Sequence, residues 1–121
     1  MKYTVSLSRD KRYVIVFVDG PMTTELALIV GKEATAFATE FNISAYLYDL
    51  RKSRNVQNSL RNYEFGYKDM ESAGLNKSGQ IALLTDSEDQ SHDFIETIMK
   101  NNGYNVRLFK NEGEAISWLI N

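Results

Sequence analysis

"YTVSLSRDKRYVIVFV", residues 3–18, sets the topology that the rest of the chain must follow. Tyr3, Val5 and Leu7 alternate with Thr4, Ser6 and Ser8, the period of a half-buried strand. "SRDKR" then turns the chain, and "YVIVFV" is apolar on both faces. So short a link joins antiparallel neighbours, because parallel strands need a long crossover. A strand apolar on both faces belongs inside a sheet. The chain therefore opens with a hairpin whose second strand is central.

Outward from this hairpin, strands alternate with helices. "DGP", which holds the only proline, breaks the second strand. Thr23 or Thr24 caps a helix whose stripe is Leu26, Val30, Ala34, Phe37 and Phe41, ending near Asn42. "AYLYDL" (45–50) reads as a strand with Ala45 and Leu47 on one face and Tyr46 and Tyr48 on the other. A second helix follows on Val56, Leu60, Tyr63, Tyr67 and Met70, weakened at Gly66 by about 1 kcal/mol. "QIALLT" is the next strand, and "SEDQ" (87–90) reads as a capping box for a helix with Phe94, Ile95, Ile98 and Met99 inward. Gly103 suits its C-terminal cap. "NVRLF" is a fifth strand, and "NEGE" (111–114) opens a last helix with Ala115, Ile116 and Leu119 inward. The order is β-β-α-β-α-β-α-β-α. It predicts an α/β fold with a five-stranded mixed, mostly parallel sheet and right-handed crossovers.

Composition narrows the function classes. A length of 121 residues fits a single domain, 1–121, with 43% hydrophobic and 25% charged residues. No cysteine and a single histidine argue against disulfides, thiolate chemistry and structural zinc. A net charge of −2 disfavours a general nucleic-acid binder. The N-terminus lacks a secretory pattern, and no apolar run approaches the roughly 20 residues of a membrane span. The expectation is a cytoplasmic protein with no cofactor, no nucleic acid and no membrane insertion.

"QIALLTDSEDQSHDFIETIMKNNGYNVRLFKNEGEAISWL" (80–119) resembles the SpoIIAA-like group of the STAS (sulfate transporter and anti-sigma antagonist) fold. A strand ending in an acidic turn, a helix with Phe and Glu-Thr, Asn-x-Gly, and the closing Phe109, Ala115, Trp118 and Leu119 carry the likeness. The resemblance implies a non-enzymatic regulatory module acting through a protein partner. In anti-anti-sigma factors a serine in a "DSSG"-like turn after the third strand is phosphorylated. The stretch here is Asp49-Leu50-Arg51-Lys52-Ser53-Arg54, which lacks the paired serines and the glycine and leaves Ser53 as the phosphosite candidate. The architecture also resembles the CRAL-TRIO carriers, which implies a small apolar-ligand or lipid-binding protein as the alternative.

The residues themselves offer no reaction. Asp49, Thr85 and Lys110 fall near strand ends as in a phosphorelay receiver, but a receiver's first strand leads into a helix, and this one turns straight back. His92, between Ser91 and Asp93, reads as a solvated helix histidine. "SAGLNKSG" has the wrong spacing for a phosphate loop and precedes a strand. Tyr46, Tyr48, Tyr63 and Tyr67 are either core or a ligand or interface surface, since tyrosine suits half-wet surfaces. They motivate an expected symmetric homodimer. "YDLRKSRN" (48–55) gathers Arg51, Lys52 and Arg54 where a strand should give way to a helix near Asn55 or Val56. That corner is either a solvated loop or an anion- or partner-binding site helped by free helix N–H groups.

Overall fold

A computed structural model of the chain describes residues 3–57, 61, 64, 68–69 and 77–120. The opening hairpin forms as expected, with β1 (Tyr3–Leu7) antiparallel to β2 (Val14–Asp19). Ser8 organises its turn. The Ser8 Oγ accepts from the backbone of Arg12 at 3.0 Å and Tyr13 at 3.2 Å, and it donates to Asp10 Oδ1 at 2.8 Å. Lys11 takes the left-handed conformation, φ 60°, that closes the loop.

The remaining elements are α1 (Thr24–Glu40), β3 (Ala45–Lys52), β4 (Gln80–Leu84), α2 (Asp93–Asn101), β5 (Asn105–Phe109) and α3 (Glu112–Ile120). The five strands lie in the order β1-β2-β3-β4-β5, and every pair after the first is parallel. β2 is interior, as two apolar faces require. Both sheet faces are covered. Val16, Val18, Tyr46, Leu50, Ile81, Leu83 and Val106 meet α1 and α2 through Val30, Ala34, Ala38, Ile95 and Met99. Leu47, Ala82, Leu84 and Phe109 meet α3 through Ala115 and Leu119. Thr23 caps α1, its side chain accepting from Leu26 N–H at 3.1 Å. Asn111 caps α3 by accepting from Glu114 N–H at 2.9 Å, which is half of the expected capping box. Gly103, at φ 92°, follows α2 as the left-handed residue that ends it.

Several expectations need correction. Residues 87–90 do not cap a helix. They form a turn in which Asp86 accepts from Glu88 N–H at 3.1 Å, and α2 begins only at Asp93. Phe94 is consequently 44% exposed and not inward. β3 runs on through Arg51 and Lys52, so these two residues end a strand and do not sit in a loop. No helix opens at Asn55 or Val56: Asn55 instead bridges Met22 in parallel fashion, and Val56 N–H donates to Met22 O at 3.1 Å. The helix expected over 56–70, with Tyr63 and Tyr67, falls mainly outside the described residues.

Candidate functional site

The parallel strands direct the carboxyl ends of β3, β4 and β5 to one side, where ligands of open α/β sheets commonly sit. Three segments meet there: residues 49–57, residues 85–93 and Lys110. At the end of β3, Arg51 grips Asp49 with two hydrogen bonds, Nε to Oδ1 at 2.9 Å and Nη2 to Oδ2 at 2.8 Å. Burial pushes the Asp49 carboxyl up, but the hydrogen bonds and charge of Arg51 outweigh it, and Asp49 titrates below its usual range. Arg51 also lies 3.7 Å from Glu112 at the start of α3. Lys52 is exposed and has no ion-pair partner among the described residues.

Asp89 is the hub of the second segment. Its Oδ1 accepts from Ser91 N–H at 2.8 Å and from Arg54 at 3.3 Å, and its Oδ2 lies 3.7 Å from His92 Nε2. His92 is only 2% exposed, not the solvated helix histidine its neighbours imply. Its Nε2 is 2.9 Å from the Ser53 carbonyl, and since a carbonyl only accepts, that nitrogen carries a proton. Ser91 Oγ accepts from Asn55 N–H at 2.9 Å. Lys110 closes the turn from β5, its Nζ donating to Asp86 O at 3.1 Å and Asp89 O at 2.5 Å. "DSEDQSH" is thus a clasp holding "RKSRN" against the sheet.

Burial of Asp89 works to raise its carboxyl. The hydrogen bonds from Ser91, and then His92 and Arg54, pull it lower still, so Asp89 is held below the ordinary carboxylate range. Ser53 is 3% exposed, and its Oγ has no hydrogen-bond partner among the described residues. A kinase reaches that hydroxyl only if the clasp opens. Thr85 Oγ1 is likewise buried and unpartnered, so the Asp49, Thr85 and Lys110 constellation does not gather as a receiver site would: Asp49 is held by Arg51 and Lys110 by backbone carbonyls.

The tyrosines separate. Tyr46 is buried in the core beneath α1 and α2. Tyr48 packs half-buried against the same cluster, where burial raises its hydroxyl well above the usual tyrosine value. Tyr63 and Tyr67 lie outside the described residues.

Two of the solved structures that the chain matches align with it over most of its length. One is an uncharacterised protein of the DUF3478 family with a SpoIIAA-like fold from Shewanella loihica. That match has TM-score 0.53 and 16% identity, and covers 97% of this chain and 91% of that one. The other is the anti-sigma factor antagonist SpoIIAA in its unphosphorylated form, at TM-score 0.57 and 11% identity, covering 97% and 96%. The fold is SpoIIAA-like. No family model and no curated protein matches the sequence.

At the opposite end of this SpoIIAA-like sheet, an open cleft of about 450 Å³ lies among Arg12, Asn42, Ser44, Gln80 and Asn105. Its walls are largely polar, so it lacks the apolar lining that a lipid pocket requires. Among the described residues no three histidine, aspartate or glutamate side chains converge as a metal site would need, and no helix is long and apolar enough to cross a membrane. The clasp is the feature that local patterns hide in this SpoIIAA-like chain. One signal for it existed: a lone histidine beside three acids at the end of a buried strand.

Proposed function

We propose that this chain is a non-enzymatic cytoplasmic regulatory module of the STAS type, a single domain over 1–121. It acts by binding a protein partner at the exposed end of β3 and assembles as a symmetric homodimer. One observation carries the reading: the fold matches that of an anti-sigma factor antagonist over nearly the whole length of both chains. The local chemistry supports the contact surface. Arg51, Lys52 and Arg54 are each exposed at or just past the end of β3, where ligands of such sheets gather, and they present positive charge on a chain of net charge −2. An acidic protein surface or a phosphate group complements them, with arginine able to make two bonds at once. Ser53 serves as a phosphosite in this reading only in an opened form, since its hydroxyl faces inward.

Native mass spectrometry of the protein purified from its own host tests the proposal. A stoichiometric protein partner, released by raised salt, is the expected result. A retained lipid-sized mass would move the assignment to the apolar-ligand carrier.

A further inference from the structure

The two edges of the sheet are finished differently. At the β5 edge, the Leu108 N–H donates to the Glu96 carboxylate of α2 at 2.7 Å, and exposed Arg107 stands mid-strand. Both features block the approach of another strand. β1 has no such protection: "YTVSL" contains no charge, proline or bulge.

The backbone of β1 faces outward in a definite way. Ser8 N–H donates to Tyr13 O at 2.9 Å, which marks residues 8 and 13 as a bonded pair of the hairpin. Bonded pairs alternate along an antiparallel ladder, so Ser6 with Ile15 and Thr4 with Phe17 are the next two. The N–H and C=O groups of Tyr3, Val5 and Leu7 therefore point away from β2. Among the described residues no hydrogen bond reaches them.

We propose that a second copy of this chain pairs with β1, antiparallel about a two-fold axis at Val5, joining two five-stranded sheets into one. The interface rests on the homodimer proposed above and locates it. The geometry is self-complementary, as a two-fold contact must be. Val5 faces its own copy, Tyr3 faces Leu7 of the second copy, and all six outward groups on each strand find partners. Tyr3 and Val5 are half-buried against the core cluster, and Leu7 shares their face. Pairing continues that apolar face across the axis. On the other face exposed Thr4 meets Ser6, a polar pair with no like charges opposed.

The test uses the full chain with paired substitutions at the two exposed positions. Sedimentation equilibrium should find the wild type dimeric. Thr4→Lys with Ser6→Lys sets lysines against lysines across the axis, and Thr4→Glu with Ser6→Glu does the same with carboxylates. Each variant should keep the wild-type circular dichroism and weaken the dimer by about tenfold or more. Mixing the two should restore a dimer, now mixed, because Lys then faces Glu. A monomeric wild type at high concentration overturns both the homodimer and this interface. A lysine variant that stays dimeric overturns the β1 interface alone. Neither result bears on partner binding at the end of β3.

Discussion

Asp89 and His92 show how much of this site depends on single residues. Asp89 is held below its ordinary value in the folded chain and returns to it on unfolding. A depressed carboxylate contributes stability above its unfolded value, and that contribution is lost as pH falls through the folded value. Wild type should therefore be more stable than Asp89→Asn at pH 7. The gap should close as pH falls from about 5 towards 2. Urea titrations of both proteins at several pH values measure it, and a gap that stays constant with pH would separate Asp89 from the acid limb. His92→Ala removes the only described side-chain donor to the Ser53 carbonyl in a buried setting. The expected cost is about 1–3 kcal/mol, read from the urea midpoint. Neither role is written locally in the sequence. His92 and Ser53 are 39 positions apart, and polar neighbours on both sides disguise a buried histidine.

Among the elements, α3 has the heaviest duty, since it covers Leu47, Ala82, Leu84 and Phe109. A helix this short does not persist alone, so its stability comes from that face. Deleting residues from Asn111 onward should unfold or aggregate the protein, whereas a truncated form with a cooperative melt near the full-length temperature would make α3 dispensable. Glu96 has a narrower task at the β5 edge. Glu96→Ala should leave the fold intact but speed hydrogen exchange at the Leu108 amide, because that bond is its outward protection. The hairpin, strands and α3 were legible because each follows a local period or a short-range turn. Two other segments carry local patterns that tertiary contacts override. "SEDQ" has the residues of a capping box, but the neighbouring carboxylates of Asp86 and Asp89 take up the backbone N–H groups of Glu88 and Ser91 and close a turn there instead. "RKSRN" looked like the entrance to a helix, yet Met22 offered Asn55 and Val56 a backbone partner that no local pattern announces.

At the scale of the whole molecule, the partner binding proposed above turns on whether the end of β3 can release the charges it now holds. The fold was legible there, and the charge pairing only in part: Asp49 with Arg51 is two residues apart, but Arg54 with Asp89 spans 35. Arg54 is 71% exposed at its side chain and Arg51 is 43% exposed, but their carboxylate partners Asp89 and Asp49 are only 10% and 15% exposed. Only the arginine side of each pair is well screened by water, and a largely buried carboxylate left without its cation is costly. An acidic partner or a phosphate must therefore compete with Asp49 and Asp89 for the two arginines, while Lys52 has no described ion pair to give up. Changing Arg51, Lys52 and Arg54 together to glutamine should leave the protein folded, with a melting temperature lowered by the loss of the cations that partner Asp49 and Asp89. The same triple variant should bind the protein partner more weakly, and its affinity should fall less steeply with added salt than that of wild type, because fewer charges remain to be screened. Calorimetric titration at two salt concentrations reads both effects. Equal affinity and an equal salt slope in the folded triple variant would leave the end of β3 a solvated strand terminus.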